Sequence, residues 1–227
     1  VDAGPKGFVH AAQPAALSIT QTSESGTIYS AGEIAELSSI AHGAGLAVHM
    51  DGARFANAVA ALNDGNQSCS PADLTWRAGV DVISFGATKN GALGAEAIIL
   101  FRTELAEEMA FRHKRAGQLA SKMRYISAPW CGLLDNDVWL HNARHANACA
   151  ARLASGLEGL PGVALRYPRQ VNGVFGEMPE PVQAALRAKG WRFYNFIGGS
   201  ARLMCSWATT TERVDQFVAD VRSLVAA

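Results

Sequence analysis

Two ionisable residues stand where apolar segments end in small-residue turns. Asp51 closes the run Leu46-Ala47-Val48-His49-Met50 and leads into Gly52-Ala53-Arg54, while Lys89 follows the apolar stretch Val80 to Phe85 within Gly86-Ala87-Thr88-Lys89-Asn90-Gly91. In an open α/β sheet, ligands bind outside the carboxyl ends of the strands, so a carboxylate and an amine delivered there by consecutive strands face one crevice. The small residues around both let backbone and ligand approach closely. Lys89 is one of only five lysines in the chain, and it follows an apolar strand into a glycine-flanked turn, an unusual place for a surface lysine. Taken singly, Asp51 also reads as a helix N-cap and Lys89 as a solvated turn residue. Their joint placement at consecutive strand ends favours chemistry.

A lysine withdrawn from water beside an ionised carboxylate suits a Schiff base with pyridoxal phosphate, whose ring nitrogen needs an acidic partner. An ionised Asp51 keeps that nitrogen protonated, so the ring accepts electrons released when a bond at the substrate Cα breaks. Arg54, three residues past Asp51 and one turn along the helix that starts there, faces the same pocket or reads as a surface helix residue. Other constellations do not assemble. His141 and His145 are spaced i,i+4, but there is no H-E-x-x-H and no third ligand, so no metal site is expected. No G-x-G-x-x-G, Walker A run or supported Ser-His-Asp arrangement occurs. Lys114, Arg115, Lys122 and Arg124 read as a basic, solvated face of one helix.

The elements that must hold these residues alternate between β-type and helical patterns, which predicts βαβ units and a parallel sheet of α/β class. Ala16 to Thr20 is the first strand. Ser30 and Glu33 form a capping box for a helix whose buried stripe is Ile34, Leu37, Ile40 and Ala41, ended by Gly43 and Gly45. Leu46 to Met50 reads as a strand buried on both faces. A helix over Ala53 to Leu62, a polar loop and a short helix opened by Pro71 lead to the strand Val80 to Phe85, and Ala95 to Phe101 is a further buried strand. Glu104 to Arg124 and Asn136 to Leu157 read as long helices. Two short strands, Val163 to Tyr167 and Val171 to Met178, precede a helix over Val182 to Lys189 and the strand Arg202 to Trp207. The last helix has a capping box of Thr209 and Glu212 and the stripe Val214, Phe217, Val218 and Val221.

Length and composition narrow the function. The chain of 227 residues is 49 % hydrophobic and carries 20 basic against 20 acidic residues, which leaves no electrostatic footprint for nucleic acid or an anionic membrane. No apolar run reaches the length of a membrane span, and the N-terminus carries no basic-then-apolar signal. Cys69, Cys131, Cys149 and Cys205 are scattered without a C-x-x-C pair, which fits a reducing, cytoplasmic compartment and small core residues.

The runs His49-Met50-Asp51-Gly52-Ala53-Arg54-Phe55-Ala56-Asn57-Ala58, Ser84 to Gly91 and Glu96-Ala97-Ile98 closely resemble the low-specificity threonine aldolases, which are pyridoxal phosphate enzymes of fold type I. The resemblance extends to Gly26 to Ser30, His113-Lys114-Arg115, Ser121 to Arg124 and Arg202 to Trp207, and so covers essentially the whole chain. It implies that Lys89 bonds the cofactor, that Asp51 pairs with the pyridine nitrogen, and that Arg54 lies near the cofactor's phenolic oxygen or the substrate carboxylate. Arg202, otherwise a strand-edge charge, matches the family's carboxylate-binding arginine, a role its planar fork suits. The implied reaction is cleavage of threonine, allo-threonine or a related L-β-hydroxy-α-amino acid such as phenylserine to glycine and an aldehyde. The alternatives are another enzyme of this cofactor class, a β-eliminating lyase or an aminotransferase, or a non-catalytic module. A homodimer or homotetramer is expected, and in a dimer the basic stretch from Lys114 would reach the partner's phosphate site.

Family members are longer at the N-terminus, where the phosphate-cradling turn and the ring-stacking histidine lie. The chain therefore corresponds to the second half of a fold-type-I large domain, residues 1–130, followed by a small α+β domain with its connecting helix, residues 131–227. On that reading these 227 residues alone are expected to hold the cofactor poorly and to be inert, because backbone N–H groups at a helix N-terminus supply much of the phosphate grip. Cofactor absorbance and glycine production, compared between this stretch and one extended upstream, check the expectation; equal turnover by both overturns it.

Overall fold

The computed structural model describes residues 7–63 and 69–226. Strands β1 (Ala16–Thr20), β2 (Ala47–Gly52), β3 (Val82–Gly86) and β4 (Glu96–Leu100) form one sheet in the order β1-β2-β3-β4. The first three are parallel and β4 is antiparallel to β3. Helix α1 (Ala31–Gly43) connects β1 to β2, and α2 (Phe55–Asn63) leaves β2 toward β3. Because the strand order advances in one direction, right-handed crossovers put both connections on the same face of the sheet. Ile19, Val48, Met50 and Ile83 are buried with Ile34, Phe55 and Val59 on that face.

This one-sided covering corrects the expectation that β2 is buried on both faces. Its residues alternate between partly and fully buried, and His49 lies on the half-open face, where its two ring nitrogens bond Ser18 Oγ at 2.8 Å and Ser84 Oγ at 2.9 Å. Strand β4 is likewise an exposed edge, with Ile98 and Ile99 open to solvent. In α1 the Ser30–Glu33 capping box forms, but Ile40 faces water and Ser38 takes its place inside. Gly79 packs directly against it, and a Cβ on Gly79 would lie 2.8 Å from Ser38 Cβ. The segment at Pro71 forms turns and a 3-10 turn at Trp76–Ala78 rather than a helix. The polar loop before it falls partly outside the described residues.

The predicted helix over Glu104 to Arg124 is broken. A 3-10 turn at Thr103–Ala106 and the short α3 (Met109–Arg115) are followed by Gly117 at φ +70°, and α4 (Arg124–Leu134) starts only after Lys122 at φ +58°. The basic stretch therefore spans two helices and the turn between them. Positive φ at Asn136 and Asp137 separates α4 from α5 (Val138–Leu157).

A second sheet, ordered β5-β6-β8-β7, comprises β5 (Ala164–Leu165), β6 (Gly173–Glu177), β7 (Tyr194–Asn195) and β8 (Ala201–Met204). All its pairings are antiparallel. Helices α6 (Glu180–Ala188) and α7 (Thr211–Val225) accompany it, and Val174, Leu203, Val214, Phe217 and Val221 pack with Leu153 and Leu157 of α5. The cap of α7 is Thr210, whose hydroxyl accepts from the Arg213 N–H at 3.2 Å, and not Thr209. Thr209 Oγ1 instead accepts from the Ser206 N–H.

A buried acid fastens the strands beneath the site. Asp81 Oδ2 accepts the Val48 N–H of β2 at 2.7 Å and bonds His42 Nε2 of α1 at 3.0 Å, and Asp81 is only 5 % exposed. Asp81→Ala leaves the buried Val48 amide unpaired. The expected cost is about 2–3 kcal/mol, read as a lower urea midpoint at unchanged m. A variant with the parental midpoint overturns this assignment.

Candidate active site

Asp51 is carried to the carboxyl end of β2 and lies on the half-open face with His49, two residues before it. Its Oδ1 accepts the Ala53 N–H at 2.9 Å, and its main-chain carbonyl accepts from the Gln21 N–H at 2.8 Å, which ties the end of β1 to the same edge. One carboxylate oxygen is thus held while Oδ2 makes no hydrogen bond with the described residues. The two loops that carry Asp51 and Lys89 meet at Gly86, where a Cβ would stand 2.8 Å from Ala53 Cα and 2.9 Å from Glu96 Oε2. Only glycine permits that approach.

Lys89 is the middle residue of a 3-10 turn, Thr88–Asn90, immediately after β3. Its neighbour Asn90 is buried and donates through Nδ2 to the Trp139 carbonyl at 2.8 Å, while Asn142 Nδ2 donates to the Asn90 carbonyl at 2.9 Å. The lysine turn is thereby sewn to the first two turns of α5. Gly91, at φ +110°, completes the turn against Asn142, whose Nδ2 would lie 3.0 Å from an added Cβ. The expected withdrawal of Lys89 from water is corrected: the side chain is exposed and makes no hydrogen bond or ion pair with the described residues. The turn is buried through Asn90, and the amine projects from it.

Arg54 immediately precedes α2, where its carbonyl accepts from the Asn57 N–H, so it sits at the helix start rather than a turn into it. Burial, then the nearby Arg202, pushes its guanidinium below the ordinary range, while Glu24, Tyr194 and Asp51 pull it back. Arg202 comes from β8, a central strand of the second sheet, and its side chain is 11 % exposed. Its Nη1 donates to the Tyr194 hydroxyl, and its Nη2 lies 3.6 Å from Glu24 Oε2. The guanidinium also lies 5.5 Å and 5.9 Å from the ring centres of Tyr194 and Phe196. Arg54 and Arg202 line one cleft between the two sheets, with Thr22, Glu24 and Asn172.

Thr22, Glu24, Asn142, Asn172 and Tyr194 carried no signal in the sequence, because each reaches the site from a distant segment or a two-residue strand. Two other features settle as structure. His145 Nε2 bonds the Thr209 carbonyl at 2.6 Å, and burial pushes the Cys149 thiol up and the Cys205 thiol up to about 12. Those two cysteines are core residues, whereas Cys131 is exposed and Cys69 intermediate. Lys114, Arg115, Lys122 and Arg124 are all exposed.

A mostly parallel sheet with helices, joined by a long helix to a small antiparallel one, with the acid and the amine at neighbouring strand ends and two arginines in one cleft, defines an α/β chain of fold-type-I architecture. Residues 3–180 match the family of beta-eliminating lyases, and the chain belongs to that family. It is 51 % identical over 220 residues to a low-specificity L-threonine aldolase of a Pseudomonas species, and 50 % identical to one of Pseudomonas aeruginosa. Each match covers 96 % of this chain and 62 % of the relative, so the chain spans less than two thirds of their length. A threonine aldolase structure from Leishmania major superposes with a TM-score of 0.86 at 28 % identity, over 96 % of this chain and 63 % of the other.

The seat of Lys89 generates a prediction of its own. Asn142→Leu removes the amide that holds the Asn90 carbonyl and is expected to cost about 1–2 kcal/mol. It should also speed tryptic cleavage after Lys89 relative to other exposed sites. Thermal unfolding and timed proteolysis check both effects, and an unaltered cleavage rate overturns the pinning role.

Proposed function

We propose that this chain supplies the lysine-bearing part of a pyridoxal-phosphate-dependent aldolase that cleaves L-threonine, L-allo-threonine or related L-β-hydroxy-α-amino acids to glycine and an aldehyde. The observation that supports the reading is the placement of Asp51 and Lys89 at the carboxyl ends of the neighbouring parallel strands β2 and β3, with Arg54 and Arg202 lining one cleft. The identity to low-specificity L-threonine aldolases supports it. The donor set fits the cofactor: an amine without a competing partner, a carboxylate with one oxygen free to accept, and a glycine-lined approach between them. When bound, the cofactor supplies a protonated ring that accepts the electron pair released at the substrate Cα.

Lys89 would hold the cofactor covalently through Nζ, on a side chain that is exposed and makes no bond to the described residues. Asp51, steadied by the Ala53 N–H, holds the proton on the ring nitrogen through its free oxygen, a charge-assisted bond of the stronger kind. Arg54 and Arg202 hold the substrate carboxylate. Two cations facing one cleft relieve their mutual repulsion by binding an anion; burial first, and Arg202 second, hold the Arg54 guanidinium below its ordinary range. The hydroxyl proton of the substrate leaves to a base that these residues do not include. The protein is proposed to be a cytoplasmic homodimer or homotetramer. Free thiols suit a reducing compartment, and exposed Phe111, Leu119 and Tyr125 beside the basic stretch suit a subunit contact. No described helix is long and apolar enough to cross a membrane.

Incubation of the holoenzyme formed by the full-length protein, extended upstream of this stretch, with threonine, allo-threonine and phenylserine should release glycine. Keto acid or ammonia in its place identifies an aminotransferase or a β-eliminating lyase, and no product from any overturns the reading. Lys89→Ala should abolish the visible absorbance of the bound cofactor. Asp51→Asn should keep the fold and lower kcat about 10- to 100-fold, for a lost contact of roughly 1.5–3 kcal/mol. Parental turnover in that variant excludes Asp51 as the ring partner.

A further inference from the structure

Three buried polar atoms near the arginine pair have no hydrogen-bond partner in the protein: Arg202 Nε, Thr22 Oγ1 and Asn172 Oδ1. All three residues line the same half-open cleft, which holds about 10 Å³ of water-sized space. They come from both halves of the fold, Thr22 from the segment after β1, Asn172 from just before β6, and Arg202 from β8. An unsatisfied buried donor or acceptor costs about 1–3 kcal/mol. Three of them on residues that line one cleft therefore mark a candidate site.

The chemistry of the three atoms selects the occupant. Asn172 is fixed in orientation, because its Nδ2 donates to the Cys205 carbonyl at 2.7 Å while its own carbonyl accepts from the Cys205 N–H at 2.9 Å. Its Oδ1 is thus a committed acceptor left without a partner in the protein. Arg202 Nε is a committed donor, and Thr22 Oγ1 serves either way. The occupant must accept from Nε–H and donate to Oδ1. A carboxylate cannot donate and an ammonium cannot accept. A water molecule does both, needs two to four polar partners, and fits a cavity of this size.

We propose that one buried water occupies this cavity and that Thr22 and Asn172 are positioning residues that orient Arg202 through it. The water commits the Nε edge of the guanidinium and leaves Nη1 and Nη2, now turned to Tyr194 and Glu24, as the edge that meets a carboxylate. This inference rests on the proposed function, since it is the substrate carboxylate that Arg202 is oriented to receive. It adds two residues, from opposite sides of the cleft, that touch neither cofactor nor substrate.

The test uses the holoenzyme and has two arms. A high-resolution crystal structure should show one water within about 3 Å of all three atoms. In the second arm, Thr22→Val keeps the shape and removes the hydroxyl. It should weaken glycine binding, measured by calorimetry, about 5- to 10-fold, a loss within the range of one hydrogen bond. KM for threonine should rise by the same factor with kcat within about twofold, the signature of ground-state carboxylate binding, and Thr22→Ser should restore both. Parental glycine affinity in Thr22→Val, or Nε bonded directly to a protein atom with no water in the cavity, overturns the proposal. An enzyme that cleaves no β-hydroxy amino acid overturns the proposed activity alone, because the crystallographic and glycine-binding arms still decide the role of Thr22.

Discussion

Everything at the site depends on the clasp between the lysine turn and helix α5. Asn90 and Asn142 exchange side-chain amides for main-chain carbonyls across it, one donating to Trp139 and the other to Asn90 itself. The same helix meets α2 through the buried pair Asn57 and Asn147, at 3.1 and 3.0 Å. Further along, its Leu153, Ala154 and Leu157 complete the core of the second sheet. One rigid rod therefore fixes the distance between the lysine, the helix that follows Asp51, and the strand that carries Arg202. A rod of 20 residues spans about 30 Å, enough to serve both cores. Buried amides suit this duty, since each one left unpaired costs more than a made bond contributes, so alternative registers of the helix are heavily disfavoured.

The sheet's one-sidedness is the second constraint. Crossovers on a single face leave Ser18, His49, Asp51 and Ser84 on the other, and the sheet accordingly places polar residues there. Asp51, the proposed ring partner, lies on this open face, whereas Met50 and Ile83 of the packed face are almost wholly buried. The alternation that turns Val48 and Met50 inward thus turns His49 and Asp51 outward, and a one-residue slip would exchange the two sets.

The sequence carried the strand ends plainly and the surroundings poorly. Apolar runs closed by Asp51-Gly52-Ala53-Arg54 and Ala87-Thr88-Lys89-Asn90 placed both residues at the sheet edge, because local pattern and turn chemistry agree there. The same reasoning took β2 for a strand buried on both faces, since Ala47 and Met50 look alike in a pattern that cannot show how many faces are covered. It also carried one helix through Gly117 and missed Pro129 inside α4. The break needs positive φ at Gly117 and Lys122, and only one of those is a glycine. The capping residue slipped from Thr209 to Thr210 within a run of three threonines, where composition has no means of choosing. Contacts between distant segments, such as Glu24 with Arg202 or Asn142 with Asn90, have no local signature at all.

On the proposed function, charge is what would let this edge favour an amino acid over a simple amine. Lys89, Arg54 and Arg202 bring three positive groups, and Asp51 and Glu24 bring two negative ones. Glu24 is largely exposed and lies 3.6 Å from Arg202, at the far limit of an ion pair. Such a contact is worth little in water, so it leaves Arg202 available to a better-placed anion. Tyr194 offers Arg202 a hydroxyl, which carries no full charge. An incoming carboxylate meets two planar forks whose mutual repulsion it relieves, and it needs only to displace an exposed side chain and a phenol. An amine lacking that carboxylate leaves the repulsion in place. On the proposed function, discrimination in favour of α-amino acids would come from two arginines, delivered by separate halves of the fold, that line one cleft and repel one another.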